Sequence, residues 1–188
     1  MPKRLRYVVY SLLLGLSVYM YYVSGQRTSV PNAPQQQQYS LLADPLRKTA
    51  SLGVSRTSLT DVFERAPFNL GFDFVPLADG RARFVGRSTD GQTTLELIGP
   101  PEGLTSANLM AALPEQSLLV RLRNVNAVSI LVDRVLPDWA EGPDWVGVNI
   151  DAAFSGRGAS TQTNGKTVTM FRAPRTETLM ITIAGPPL

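Results

Sequence analysis

The pattern of hydrophobic and polar positions divides the chain into segments of different character. Residues 7–23, YVVYSLLLGLSVYMYYV, carry no charge and are mostly apolar. Residues 24–38 are polar and include two prolines and four consecutive glutamines. From residue 39 onward, apolar residues recur with the periods of strands and helices, over a length typical of one domain. The pattern predicts a tail at 1–6, a transmembrane helix at 7–23, a flexible linker at 24–38 and a single domain at 39–188.

The apolar segment is long enough to anchor the chain in a membrane. Its residues span roughly 25 Å as a helix, close to the bilayer core of about 30 Å. Three basic residues lie between positions 3 and 6, and Arg27 alone follows closely. The positive-inside rule therefore predicts a single-pass protein with a cytoplasmic N-terminus and a domain on the extracytoplasmic or lumenal side. The alternative is a cleaved secretory signal, because Val-Ser-Gly at 23–25 satisfies the loose cleavage pattern.

Two small residues within the segment suggest that the anchor also contacts other proteins. Ser11 and Gly15 are four positions apart and would share one face of a helix. Such a face lets a second transmembrane helix approach closely. We therefore expect other membrane protein subunits among the partners.

The first half of the domain region predicts a short helix followed by antiparallel strands. Residues 58–65 combine an apolar side with Ser58 as the expected N-cap. Three segments with a period of two then follow, at 71–77, 81–88 and 93–98. They are separated by Asp-Gly pairs, which favour tight hairpins, so the pattern predicts an antiparallel meander.

The second half predicts a fourth strand, helices and a final group of strands. Residues 104–113 suit a strand better than a helix. Apolar spacing of three and four across 117–135 predicts a helix that covers a sheet face, with Asn124 or Asn126 as a possible break. The apolar positions of that helix are Leu118, Leu122, Val125, Val128, Leu131, Val132 and Val135.

A second helix is expected to begin near Pro143, and the C-terminal segments read as strands. Asn164-Gly165 is a strong hairpin signal between strands at 159–163 and 166–172, and 176–183 is a last strand. The predicted fold class is α+β, with an antiparallel sheet and helices packed on one face.

Composition excludes several functions. The chain has 18 basic and 15 acidic residues, but three of the basic ones precede the anchor, so the remainder is neutral. A neutral domain lacks the basic surface expected for binding nucleic acid. The chain also contains no histidine and no cysteine, which removes the commonest general base, thiol nucleophiles and the commonest zinc ligands.

One motif resembles part of a nucleotide-binding site. Gly165-Lys166-Thr167 resembles the end of a phosphate-binding loop, but the required glycine five residues earlier is Ser160. A hairpin turn explains these residues better. We expect no cofactor.

An acidic cluster with two tryptophans is the strongest candidate for partner binding outside the membrane. It comprises Asp138, Trp139, Glu141, Asp144 and Trp145. Carboxylates beside tryptophans suit a basic protein surface. Alternatively, the carboxylates cap helix starts and face solvent while the tryptophans pack on the sheet, or they act in sugar hydrolysis or hold Ca²⁺. Neither of those last two sites has its defining pattern, so we predict no catalytic residue and no metal.

Three arginines form a candidate anion-binding surface. Arg81, Arg83 and Arg87 recur at even spacing, which places them on one face of a strand. They are candidates for contact with an anionic lipid headgroup or an acidic partner. The alternative is that they form the solvated face of the meander.

These observations predict a noncatalytic accessory or assembly subunit of a larger membrane complex, not an enzyme. Its domain would contact protein partners outside the cytoplasm. One alternative is a membrane-tethered binding module for an apolar ligand or lipid. Another is a carboxylate-dependent extracytoplasmic glycan hydrolase.

Overall fold

A computed structural model describes residues 49–173 and 176–188. Within these ranges the fold is α+β, with a seven-stranded antiparallel sheet and three helices. The helices are α1 (Arg56–Phe63), α2 (Leu118–Val135) and α3 (Gly142–Phe154). The strands are β1 (Gly71–Phe74), β2 (Arg83–Arg87), β3 (Thr93–Ile98), β4 (Ser106–Ala112), β5 (Ala159–Thr163), β6 (Lys166–Arg172) and β7 (Thr178–Ala184).

The described strands lie in the order β1-β2-β3-β4-β7-β6-β5. The first four form the predicted meander, and every neighbouring pair is antiparallel. The final strand, β7, inserts between β4 and β6. After α3 the chain therefore forms β5 at the edge of the sheet and returns through β6 to the middle. The antiparallel sheet expected from the sequence is confirmed for this part of the chain.

The core lies between the sheet and the two long helices. One row of paired residues crosses the centre of the sheet, Leu95 opposite Leu109, Leu109 opposite Ile181, and Ile181 opposite Met170. All four are fully buried and belong to one cluster with Leu131 and other residues of α2 and α3. Burying a side chain of this size contributes about 1.5–3 kcal/mol. This layer of apolar contacts therefore fixes the helices on one face of the sheet.

Local turn chemistry explains the hairpins. Asn164 and Gly165 have φ values of 49° and 73°, the positive pair that a two-residue turn between twisted strands requires. The first Asp-Gly turn is wider, because Leu77 N donates to Arg81 O at 3.0 Å and three residues close the loop, with Gly80 at a φ of 82°. Around the second Asp-Gly pair, Ser88 N donates to Thr93 O at 3.0 Å and four residues form the loop. The Asp-Gly pairs thus mark the turns correctly, but both loops are longer than two residues.

Two details of the predicted helices are wrong. α1 begins earlier than expected, because the Ser55 side chain accepts a hydrogen bond from Ser58 N at 3.2 Å and is the N-cap in place of Ser58. α2 is continuous from Leu118 to Val135, so neither Asn124 nor Asn126 breaks it. Asn124 is instead fully buried and hydrogen-bonded to the sheet.

The predicted tail, transmembrane helix and linker lie outside the described residues. Across residues 49–173 and 176–188, no helix combines the length and apolar character needed to cross a bilayer. Thr49 pairs with Pro187 in an isolated bridge, and Ala50 N donates to Pro186 O at 2.8 Å. Backbone contacts therefore hold Thr49 and Ala50 beside Pro186 and Pro187, which follow β7.

Candidate protein interaction site

Three leucines at the start of α2 face solvent. Leu118, Leu119 and Leu122 are 67%, 80% and 57% exposed. Their positions within the first two helical turns place them close together, and we call this group the leucine surface. Single exposed leucines are common on soluble proteins, but a group of three within five residues is an apolar patch of the kind that often marks an interaction site.

The sequence placed two of these leucines in the core, and that prediction is wrong. The buried side of α2 is formed by Asn124, Ala127, Val128, Leu131, Val132 and Val135. At about 100° per residue, Leu122 lies roughly 200° around the helix from Asn124. The other predicted positions hold, since Val128, Leu131, Val132 and Val135 are buried and Val125 packs against the core. Only the first two, Leu118 and Leu122, leave the buried side.

Hydrogen bonds to the sheet satisfy the buried side chain of Asn124. Its side-chain amide donates to Ala112 O at 2.6 Å and to Gln92 O at 3.2 Å. Its side-chain oxygen accepts from Thr93 Oγ1 at 2.8 Å. Ala112 ends β4, Thr93 begins β3 and Gln92 directly precedes it, so one side chain joins α2 to two strands.

Arginines lie beside the leucine surface. Arg121 and Arg172 both lie near the ring of Phe154, at 5.7 Å and 5.3 Å from its centroid. Arg123 forms an ion pair with Asp90 at 2.8 Å. Hydrogen bonding to Arg123 is the main cause that lowers the pKa of Asp90 to about 2. The start of α2 therefore combines exposed leucines with two arginines, of which Arg123 is paired with Asp90.

The predicted tryptophan and acidic residues gather where α2 leads into α3. The rings of Trp139 and Trp145 lie 5.5 Å apart and pack partly against the core. Asp138, Glu141 and Asp144 are exposed around them. We call these five residues the tryptophan surface. Asp144 lies in the first turn of α3, where its charge is favoured by the helix dipole.

Close packing around Gly142 holds the two tryptophans in place. A Cβ at Gly142 would lie 3.1 Å from the Trp139 ring and 3.2 Å from a Val132 methyl group. Glycine therefore lets α3 begin close to α2 and Trp139 without displacing either neighbour. The two tryptophans are thus partly buried, as expected, and exposed carboxylates surround them.

Lys166, which follows the turn between β5 and β6, contacts the C-terminal end of α2, near the tryptophan surface. Its Nζ donates to Val135 O at 2.9 Å, which satisfies one of the last carbonyl groups of the helix. Burial lowers the pKa of Lys166, and the negative charge of Asp138 acts in the opposite direction. In the Gly165-Lys166-Thr167 motif, which resembles the end of a phosphate-binding loop, the lysine therefore contacts the end of a helix.

Each predicted arginine on the meander has a carboxylate neighbour. Arg81 Nε donates to Asp79 at 2.7 Å, Arg83 lies 3.4 Å from Glu96, and Arg87 lies 3.8 Å from Asp73. Hydrogen bonds from Arg81 also lower the pKa of Asp79. An anionic ligand would compete with these pairs, and headgroup contact at this surface stays a prediction.

The other sequence-based sites are not brought together. Ser11 and Gly15 lie outside the described residues. In the part of the chain that the structure covers, no group of three or more acidic residues is arranged to hold a metal ion. Searches of protein families, of curated proteins and of solved structures found no match to this chain. Function is therefore inferred from the chemistry of the leucine and tryptophan surfaces.

Proposed function

We propose that this chain is a noncatalytic, membrane-anchored accessory or assembly subunit of a larger membrane complex. Residues 7–23 insert in the bilayer, and the α+β domain contacts protein partners outside the cytoplasm. The observation that carries this proposal is the leucine surface, because it leaves three large apolar side chains in water at one site.

The energetic argument favours a protein partner for these leucines. Fully burying a leucine contributes about 1.5–3 kcal/mol, so three together supply several kcal/mol to an interface. The exposure of Leu118, Leu119 and Leu122 leaves most of that free energy unused in the isolated chain. Arginines beside an apolar patch are also common in interface cores.

The tryptophan surface supports the same proposal. Tryptophan is enriched among the residues that dominate binding energy, and Trp139 and Trp145 are already ordered by packing on the core. Little conformational entropy is then lost when a partner covers them. The exposed carboxylates of Asp138, Glu141 and Asp144 would form the polar rim of such a contact.

Isolation of the full-length protein from its native membranes in mild detergent tests the proposal. We expect a stoichiometric assembly of high mass on a native gel, with partner subunits identified by mass spectrometry. The triple variant Leu118→Ser, Leu119→Gln and Leu122→Gln should recover those partners at least tenfold less well.

Leu188→Gln is the matched control, because Leu188 is 85% exposed and lies outside both α2 and α3. It should leave recovery unchanged. Isolation of the wild-type chain without other subunits would overturn the proposal. Equal recovery by the triple variant and the control would remove the leucine surface from it.

A further inference from the structure

The two edges of the sheet differ in how strongly they oppose further strand pairing. Within residues 49–173 and 176–188, β1 and β5 each pair with one neighbouring strand. β1 includes the exposed and charged Asp73 and leads into Pro76, which has no N–H group to donate. Charged residues and prolines are features that block pairing at an edge. β5 contains neither, so this edge of the sheet is open to another strand.

Two residues of β5 direct their backbone groups toward the open edge. Thr163 and Lys166 flank a two-residue turn and exchange ladder hydrogen bonds. Every second residue of an antiparallel strand bonds to the same neighbour, so Thr161 also bonds to β6. Ser160 and Gln162 alternate with these positions, and their N–H and C=O groups therefore point away from β6. Across the part of the chain that the structure covers, no other backbone hydrogen bond reaches these four groups.

The sequence of β5 is complementary to itself in the antiparallel orientation. When Thr161 of two copies lies on a two-fold axis, Ser160 of each copy lies opposite Gln162 of the other. Each of these two pairs can exchange two hydrogen bonds, so all the outward backbone groups of both strands are satisfied. The two copies of Thr161 then face each other, and threonine pairs across neighbouring strands are favourable.

Charged side chains do not oppose this register. β5 itself is uncharged, so its pairing with a second copy places no like charges opposite each other. Arg157, the nearest charged residue before the strand, falls opposite Gly165 of the second copy, which has no side chain. Lys166, which follows the turn, donates its Nζ to Val135 O of its own chain at 2.9 Å. The occupant that the open edge fits is therefore a second copy of β5.

We propose that two copies of this chain pair through β5 about a two-fold axis at Thr161. The two sheets then form one continuous sheet, and an axis perpendicular to it places the helices of both copies on the same face. Such a contact is isologous and closed, so assembly through this edge stops at a dimer. This inference goes beyond the proposed accessory role and uses residues of β5 alone, so it does not depend on the membrane anchor.

The size of the contact determines how it is best detected. Five residues per copy bury much less than the roughly 800 Å² per partner of a stable soluble complex. We therefore expect a weak dimer, which a disulfide bond can capture. The chain contains no cysteine, so single introduced thiols report on one contact at a time.

Thr161→Cys tests the position of the axis. Facing residues of a non-hydrogen-bonded antiparallel pair have Cα atoms about 4.5 Å apart, which is within the range that a disulfide spans. The full-length Thr161→Cys chain, purified in mild detergent and gently oxidised, should form a disulfide-linked dimer. Thr163→Cys is the matched control, because Thr163 is also a half-buried threonine on the same face of β5.

The proposed register keeps the two copies of Thr163 roughly 14 Å apart, since four residues of strand separate them along the axis of β5. Thr163→Cys alone should therefore cross-link about tenfold less than Thr161→Cys. Ala159 lies opposite Thr163 of the second copy, so a mixture of Ala159→Cys and Thr163→Cys should restore cross-linking. Equal dimer yields from Thr161→Cys and Thr163→Cys would overturn the proposal.

Gln162→Pro tests whether the contact uses the backbone of the edge. It removes an outward N–H group but no hydrogen bond to β6, and proline is tolerated at such edge positions. In the Thr161→Cys chain it should lower the dimer yield about tenfold without a large change in the thermal midpoint. Undiminished cross-linking would show that the copies meet elsewhere and would overturn the proposal.

A charge exchange supplies a test that does not rely on proline. Ser160→Lys with Gln162→Lys places lysines opposite each other across the axis, so this variant of the Thr161→Cys chain should lose the dimer. Ser160→Glu with Gln162→Glu should lose it for the same reason. A mixture of the two should recover cross-linking, because opposite charges then face each other. Failure of the mixture to exceed either variant alone would contradict pairing through β5.

The outcomes separate this inference from the proposed function. Partner subunits recovered from native membranes, together with Thr161→Cys cross-linking no better than Thr163→Cys, would leave the accessory role in place and overturn pairing through β5. Site-specific cross-linking in detergent, without other subunits in the native isolation, would support pairing through β5 and overturn the accessory role.

Discussion

Asn124 uses its side-chain amide to join three parts of the chain. It donates to Ala112 O and Gln92 O and accepts from Thr93 Oγ1, and it is fully buried. A buried polar group of this kind stabilises a fold only when its partners are present. Leu122, two residues earlier, lies on the opposite side of α2 and faces solvent.

Removing this amide should destabilise the domain strongly. Asn124→Ala removes the side-chain partner of Ala112 O and of the Thr93 hydroxyl, whereas Gln92 O still accepts from Ala112 N. We expect a loss of about 3 kcal/mol in the free energy of unfolding. Asn126→Ala, at an exposed position of the same helix, is the control and should change stability by less than about 0.5 kcal/mol. Urea unfolding of both variants measures the difference. A loss below about 1 kcal/mol for Asn124→Ala would contradict the role given to its hydrogen bonds.

Asp90 predicts a dependence of stability on pH. Because its pKa is lowered to about 2 in the folded state, its ionised form stabilises the fold above the ordinary aspartate pKa of 3.8. This contribution is lost as pH falls from about 4 through 2. Partial exposure screens the ion pair with Arg123, so we expect only about 1 kcal/mol at pH 7.

Asp90→Asn should therefore be less stable than the wild type at pH 6 and equally stable near pH 2. Denaturant unfolding at several pH values measures this convergence. Asp151→Asn replaces an exposed carboxylate on α3 and controls for the change in net charge. A gap between Asp90→Asn and the wild type that stays constant from pH 6 to pH 2 would show that the ion pair is not its source.

At the scale of elements, local chemistry made most of the fold predictable. The Asn-Gly turn, the alternation of Leu179, Ile181 and Ile183, and the helix start near Pro143 depend on nearby residues, and the structure confirms all three. Which part of α2 the sheet covers was not predictable from spacing, because it depends on the packing of strands that are distant in sequence. The leucine surface was missed for the same reason.

Alanine substitutions at two glycines should change the stability of the domain in opposite directions. Gly165 has a φ of 73°, a conformation that strains residues with a side chain, so Gly165→Ala should destabilise the hairpin by about 1 kcal/mol. Gly147 lies within α3 with open space where a methyl group would extend, so Gly147→Ala should stabilise the domain by about 0.5–1 kcal/mol. Thermal unfolding compares the two variants directly. A shift of both midpoints in the same direction would show that backbone conformation does not decide the effect.

At the scale of the whole molecule, the proposed assembly depends on two weak contacts. In the proposed membrane complex, the leucine surface would act outside the bilayer and the small residues Ser11 and Gly15 would act within it. When one contact has formed, it raises the effective concentration of the other, because both lie on the same chain. Loss of either contact should therefore weaken association by more than the area of that contact alone would suggest. Association with partners should therefore depend on the anchor sequence as well as on the domain.

Enlarging the small residues of the anchor tests this dependence. Ser11→Leu with Gly15→Leu keeps the segment apolar, so the chain should still insert, but the bulkier face prevents close approach of a second helix. We expect partner recovery from native membranes to fall several-fold, and further when the leucine surface is also replaced. Leu13→Ile, roughly 200° around the helix from Ser11, is the control and should retain full recovery. Recovery that is unchanged in the Ser11 and Gly15 variant would restrict the anchor to holding the domain at the membrane.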